Sequence, residues 1–267
     1  MLGLIIVYYN HPEQLRDFLL SLKKNQTANI KLFIADLGCN LKLNNKYDFE
    51  IEIIQGQNKG YSYGVNLCLK RALKQQYDQF CVLNYDTYLD SRFLKYLQIR
   101  FKITSLFGGK IYYARGNEYY PERYAKKDIG KVLWYAGGSI DWNHATVTHR
   151  GVDEVDKGQY NSFQTTGFIP GTLMAFTKKV IDKVGFWDEK FFLYYEDTDF
   201  CVRALKHGFK LYYDPQIIIW HKNAGTTGGP GSKLHIKEQA KSRLRFGLKH
   251  APARTKAHLL LNKLAAK

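Results

Sequence analysis

The chain has 267 residues, 45% apolar and 15% aromatic, which is enough for one large domain, or a compact domain with an appendage, and excludes a disordered segment. Its formal net charge is +16, and the stretch from Lys233 to Lys267 alone carries ten Lys or Arg against the single Glu238. Cys39, Cys68, Cys81 and Cys201 form no CxxC pair, which reads as reduced thiols rather than a disulfide scaffold, and no apolar run reaches the roughly 18 residues of a bilayer span.

Met1 runs directly into LGLIIVYYN with no secretory-leader pattern, so the expected location is the cytosol, or the cytosolic face of a membrane. Leu2 to Tyr9 reads as a buried strand, and Asn10-His11-Pro12-Glu13 gives the entry to a helix with Leu15, Phe18, Leu19 and Leu22 on one face. Ile30 to Ala35, ending in Asp36, and Glu50 to Ile54 read as the next strands, followed by the loop Asn58-Lys59-Gly60 and a helix from Gly64 to Leu73. Gln79 to Leu83 is a further strand, with Asn84-Tyr85-Asp86 at its carboxyl end. This alternation predicts an α/β fold with a mostly parallel central sheet covered by helices on both faces. Ligands of such sheets gather beyond the carboxyl ends of the strands, and Asn10, Asp36 and Asp86 all fall on that rim.

The middle, residues 102 to 164, is rich in Tyr, Gly and charge and reads as an insertion with a hairpin around 140 to 151. Gly171 to Phe176 is another apolar run, leading into a helix from Lys178 to Val184. Then Glu196, Asp197 and Asp199 stand within four positions, between the aromatic run FFLYY and an amphipathic helix. Acidic residues at a helix start offset the macrodipole, and a carboxylate at the mouth of a fold also suits proton abstraction. Arg203 is placed to pair with Asp199 or to reach a phosphate. Trp187, Phe191, Phe192, Tyr194 and Tyr195 offer an apolar platform for a sugar, or core. His221 closes a strand from Gln216 to Trp220, where an imidazole suits metal ligation and Asp86 offers the oxygen that Mg²⁺ or Mn²⁺ prefers.

Thr226 to Gly231 reads as a lid or a linker. In the basic tail, residues 232–267, Lys237, Lys241, Arg245 and Lys249 recur every four residues beside Ile236, Ala240, Leu244 and Leu248, which predicts a basic amphipathic helix. An anionic membrane surface is the partner expected for it, against a helix packed on the domain or a nucleic-acid contact; we expect no nucleic acid.

The order of LIIVYYN, Asp36, NKGYSYGVN, LNYDTYLD, GFIPGTLMAF, VGFWDEKFFLYYEDTDFCVRALKHGF and IIWH resembles the family 2 glycosyltransferases with the GT-A fold, nearest the bacterial rhamnosyltransferase-like branch. The resemblance covers roughly residues 2 to 228. It implies a domain over 1–231, with a Rossmann-like nucleotide-sugar half in 1–100 and an acceptor and catalytic half in 101–231. It implies inverting transfer from a dTDP- or UDP-sugar, dTDP-rhamnose first, to a saccharide or lipid-linked saccharide in surface-polysaccharide assembly. On this resemblance Asn10, Asp36, Asn58, Gly60, Asn84 and Asp86 bind the donor, Asp86 and His221 hold Mg²⁺ or Mn²⁺, and Asp197 is the catalytic base. Trp187, Glu196 and Asp199 serve the acceptor or support the base. Asn84 departs from the acidic residue that opens many such metal motifs, which implies a weaker metal dependence. A sugar nucleotidyltransferase is the rival enzyme, but Tyr9-Asn10-His11-Pro12 is not the glycine-rich basic loop it needs. A non-catalytic polyanion-binding module on the same scaffold is the other rival.

Overall fold

The computed structural model describes residues 1–25, 29–43, 47–222 and 231–265. The elements run β1 (Leu2–Tyr8), α1 (Pro12–Leu22), β2 (Ile30–Asp36), β3 (Glu50–Gln55), α2 (Tyr61–Lys74), β4 (Gln79–Leu83), β5 (Thr87–Leu89), α3 (Phe93–Phe101) and β6 (Leu106–Tyr113). They continue through β7 (Leu133–Tyr135), β8 (Gly138–Asp141), β9 (Thr146–His149), β10 (Gln164–Thr165), β11 (Leu173–Thr177), α4 (Lys178–Val184), α5 (Glu196–Lys206), β12 (Tyr212–His221), α6 (Lys233–His250) and α7 (Ala253–Ala265).

Among the described residues, ten strands form one sheet with the path β10-β12-β6-β11-β4-β1-β2-β3, while β5 joins β12 and β7 joins β6; β8 and β9 make a separate hairpin. The pairs β3/β2, β2/β1, β1/β4 and β6/β12 are parallel, and β11 runs antiparallel between β4 and β6. Because β11 alone reverses in the middle of the sheet, β1, β2, β4, β6 and β12 all end on one rim. Every residue of β1 is buried, as its unbroken apolar sequence requires when helices cover both faces. On α1, Pro12 opens the helix and Leu15, Phe18, Leu19 and Leu22 supply the buried face.

The region read as an insertion contains a central strand instead. β6, LFGGKIYY, carries two glycines and a lysine, residues that weaken a strand reading. They are there for packing: a Cβ on Gly109 would lie 2.2 Å from the Ile217 carbonyl oxygen, where β12 shifts register between Asp214 and Ile218. Lys110 is neutralised in the interior by Asp156 at 2.6 Å.

The tail forms helices, as read, but its packing face differs from the stripe Ile236, Ala240, Leu244 and Leu248. Glu238, Ser242, Phe246 and Gly247 are the buried residues of α6, whereas Ile236 is 59% exposed. Phe246 packs in a cluster with Ala145, Phe191, Tyr195, Val202, Ala251 and Leu259, and Ser242 donates to the Leu193 carbonyl at 2.7 Å. The domain offers a carbonyl and an aromatic hole, and these select the helix face. No helix among the described residues is long and apolar enough to cross a membrane. The stretch read as lid or linker lies, save for Gly231, outside the described residues.

Candidate active site

A cleft of about 690 Å³ opens at the shared rim, and Asn84, Asp86, His221, Glu196 and Asp197 all line it. Strand pairing fixes the first group. β4 ends at Leu83, the chain turns through Asn84-Tyr85-Asp86, and β5 then pairs with the end of β12 so that Thr87 faces His221. The Lys222 N–H closes this corner by donating to the Asp86 carbonyl at 2.9 Å. Asp86 Oδ1 lies 3.3 Å from His221 Nε2, and the two residues are only 4% and 6% exposed. Burial pushes the Asp86 carboxyl up, but His221 and Lys222 outweigh it, so the group ionises below its ordinary range.

Asp86 Oδ1 and His221 Nδ1 are both buried without a hydrogen-bond partner, a costly state that an added ligand would relieve. Among the described residues no three His, Cys, Asp or Glu gather at a metal-binding distance. Two protein ligands therefore fit a hard divalent ion only if phosphate oxygens and water complete its shell. The Trp134 ring stands edge-on to His221 at 4.9 Å and bounds this end of the cleft.

The second group comes from the start of α5, where Tyr194 and Tyr195 occupy left-handed backbone at φ 67° and 66°. That unusual pair reverses the chain so that the first turn of α5 meets the cleft. Asp197 Oδ2 accepts from the Gly171 N–H at 2.8 Å, and Oδ1 accepts from the Thr198 N–H and hydroxyl at 2.6 and 3.1 Å. Each carboxylate oxygen has two acceptor sites, so Oδ2 retains an open one. Burial raises the Asp197 pKa while these donors hold it back. Glu196 is raised much further, by burial and then by the Asp197 charge, and its Oε2 is buried without a partner. Glu196 is therefore held in its neutral form more strongly than Asp197, which is the more acidic of the two.

Tyr61 joins the two groups. Its hydroxyl donates to Asn84 Oδ1 at 2.9 Å and approaches the Gly171 carbonyl at 3.2 Å, while Gly171 N–H binds Asp197. Burial, then the charges of Glu196, Asp197 and Asp86, hold the Tyr61 phenol far above its usual range, so it stays protonated. No spacing motif marked Tyr61 in the sequence; only the glycine before it hinted at a tight approach.

The other sequence-predicted residues divide. Asn58 and Gly60 line the cleft. Gly60 has φ 103°, and a Cβ there would sit 2.5 Å from the Phe192 carbonyl oxygen, so the position requires glycine. Asp36 and Asn10 do not line the cleft, although their neighbours Leu37 and Tyr9 do. The Asp36 carboxylate is fully buried and accepts from the N–H groups of Gly38 and Leu41 at 3.1 and 2.9 Å, so it shapes the loop after β2. Asn10 accepts from Asn40 at 2.8 Å beside the same loop.

Of the two roles expected for Trp187 and Asp199, acceptor contact or support, both residues sit where they can support. Trp187 is buried against Phe200 and Tyr61, behind Gly171 at the floor of the cleft. Asp199 faces away: its carboxylate takes Arg203 Nε at 2.8 Å and both His250 Nε2 and Lys249 Nζ at 2.7 Å, which ties α5 to the end of α6. Phe191 is likewise core, whereas Phe192, Tyr194 and Tyr195 line the cleft. Sequence reasoning gave no site role to Trp134, His149, Phe168, Leu234, His235 or Gln239, which also line it. Burial among aromatic rings pushes the His149 imidazole down to about 4, so this wall is neutral there.

Three kinds of likeness accompany this geometry. The family model for glycosyl transferase family group 2 matches residues 135–229. The dTDP-rhamnosyl transferase RfbF of Shigella flexneri is 25% identical over 223 residues, covering 81% of this chain and 67% of that protein. The solved structure of GalNAc-T7 with UDP, GalNAc and Mn²⁺ superposes with a TM-score of 0.65 at 14% identity, covering 97% of this chain and 49% of the other. The mannosyltransferase PcManGT from Pyrobaculum calidifontis, in complex with GDP-Man and Mn²⁺, superposes with a TM-score of 0.54 at 10% identity, covering 97% and 69%. The chain thus spans about half of the GalNAc-T7 chain, and at these identities the structural likenesses bear on the fold alone. The fold is GT-A-like, and the matches support the likeness to family 2 glycosyltransferases of the rhamnosyltransferase-like kind.

Proposed function

We propose that this chain, a protein of GT-A-like fold resembling the family 2 glycosyltransferases, transfers a sugar from a nucleotide-diphosphate donor to an acceptor hydroxyl with inversion. One observation carries the reading: Asp86 and His221, paired at 3.3 Å and each with a buried polar atom that lacks a hydrogen bond, share a cleft with the neighbouring carboxylates Glu196 and Asp197. The first pair suits a diphosphate with its counter-ion, and the second suits a hydroxyl that must lose a proton.

When bound, Mg²⁺ or Mn²⁺ supplies positive charge to the departing diphosphate. Asp86 and His221 would hold it, and the Mn²⁺ in the two superposed structures is consistent with that choice. Asn58 and Gly60 flank the donor, and the loop shaped by Asp36 and Asn10 receives the nucleoside. Asp197 takes the acceptor proton as the acceptor oxygen attacks the anomeric carbon, and the bond from that carbon to the diphosphate breaks on the opposite face. Gly171 and Thr198 fix the carboxylate orientation through their N–H groups. Glu196, held neutral, contributes a hydrogen-bond donor beside it.

A dTDP-sugar, rhamnose first, is the preferred donor because of the likeness to RfbF; a UDP-sugar is the alternative. A saccharide or lipid-linked saccharide in surface-glycan assembly is the proposed acceptor. The exposed Ile236, Leu260 and Leu261, with the basic residues of α6 and α7, suit an anionic membrane surface on the cytosolic side.

The test is transfer of radiolabel from dTDP-, UDP- and GDP-sugars to the membrane fraction of the cell that makes this protein, with and without Mn²⁺. Transfer from one donor class, with an inverted anomeric configuration in the product, supports the proposal. Formation of a nucleotide sugar from a sugar phosphate and a nucleoside triphosphate would instead favour the nucleotidyltransferase.

A further inference from the structure

Resting on the glycosyltransferase reading, we propose that the first two turns of α6 form the acceptor wall of the cleft, with His235 and Gln239 binding hydroxyls of the acceptor saccharide. The tail is then part of the active site as well as a surface for docking. Leu234, His235 and Gln239 line the same cleft as Glu196 and Asp197. His235 and Gln239 are four residues apart, so they stand one above the other on a single helix face. Glu238, Ser242 and Phe246 continue along the side of α6 that packs on the domain. That side is polar where it borders the cleft and becomes apolar only at Phe246. A helix that served packing alone would be apolar throughout its buried length.

The side chains there are held ready. Ser232 caps α6 by accepting from the His235 N–H at 3.1 Å, and the Gly231 N–H donates to His235 Nδ1 at 3.1 Å. With Nδ1 accepting, a neutral His235 carries its proton on Nε2 and presents a donor. Its ring stands edge-on to Tyr194 at 5.1 Å, in the left-handed turn that precedes Glu196. The aromatic faces of Tyr194 and Tyr195 in the cleft suit the apolar side of a pyranose, and the amide of Gln239 supplies both a donor and an acceptor for its hydroxyls. Asn58, Asn84 and Asp86, which line the same cleft, already offer the groups a donor needs. The acceptor is therefore a saccharide that approaches Asp197 from the α6 side.

The experiment uses the full chain, the labelled donors and the membrane fraction described above. It compares wild type with the double variant His235→Ala/Gln239→Ala and with His235→Gln, which keeps a hydrogen-bonding group. The double variant is expected to raise the amount of membrane needed for half-maximal transfer by about tenfold or more, from loss of hydrogen bonds to substrate, with the donor KM unchanged. His235→Gln is expected to recover most of that loss. Unchanged acceptor half-saturation in a folded double variant would overturn the proposal. A raised donor KM, or a fall in kcat alone, would also overturn it, because α6 would then serve the donor or only support the fold. If wild type transfers from no donor, the enzyme reading falls, and this inference falls with it; nucleotide-dependent thermal shifts of wild type and variant separate that outcome from misfolding.

Discussion

At the residue scale, the division of labour between Glu196 and Asp197 follows from their environments. Asp197 takes three N–H or O–H donors from Gly171 and Thr198, which favour its charged form, whereas burial and the Asp197 charge favour the neutral form of Glu196. Asp197→Asn is expected to abolish transfer while leaving Mn²⁺-dependent nucleotide binding intact. The transfer rate should rise with pH as Asp197 loses its proton, and because its pKa is raised, the midpoint should lie above the ordinary Asp value of about 3.9. Glu196→Gln should leave that midpoint in place, since Glu196 is already uncharged when Asp197 titrates. A pH–rate profile of wild type beside Glu196→Gln checks this, and loss of all transfer in Glu196→Gln would make Glu196 the base. Asp86→Ala should weaken nucleotide binding in Mn²⁺ by about tenfold or more and have little effect in chelator, measured by calorimetric titration. These residues were legible in the sequence because each stands at a strand end or a helix start, where period and position fix the rim. Tyr61 and His149 were not, since their partners lie far away in the chain and no local pattern announces a contact of that range.

At the element scale, Asp199 sets how α6 sits. Burial would raise its carboxyl, but His250, Arg203 and Lys249 bring it down to about 2. A depressed folded-state value stabilises the protein above the unfolded pKa of about 3.9, and this contribution is lost as pH falls through the folded value. Asp199→Asn should therefore cost about 2–3 kcal/mol at pH 7, and its difference from wild type should fade between about pH 4 and pH 2. Denaturant unfolding at each pH checks it. A constant difference across that range would mean that packing, not charge, holds the helix. The acidic residue was visible in the sequence, and so was its pairing with Arg203; the two further partners, Lys249 and His250, come from a helix 50 residues on, which periodicity alone does not dock. β6 was missed for a related reason. Its Gly108, Gly109 and Lys110 argue against a strand locally, and only the bulge of β12 and the buried Asp156 make them fit. At Gly60, Gly60→Ala should destabilise the turn against Phe192 by about 1–3 kcal/mol and raise the donor KM, because φ 103° and the 2.5 Å approach both exclude a side chain.

At the scale of the whole molecule, the sheet makes one rim and the tail closes it. The parallel half, β3, β2, β1 and β4, was readable from alternating strand and helix. The antiparallel β11 was not, because an apolar strand gives no sign of its direction. The surplus of positive charge on residues 232–267 survives the docking of α6 and α7, with Ile236 and Leu261 at 59% and 64% exposure among it. Flotation with vesicles containing anionic lipid should therefore retain the protein at low salt and release it as salt rises, while neutral vesicles should not retain it. Equal recovery with both would remove the membrane from the picture. The most direct test is a crystal structure with Mn²⁺ and the donor nucleotide sugar, located by anomalous scattering. We expect Mn²⁺ within about 2.1–2.3 Å of Asp86 and His221, with the anomeric carbon between the diphosphate and Asp197. Mn²⁺ bound elsewhere, or a sugar turned away from Asp197, would contradict the single shared cleft on which the mechanism depends.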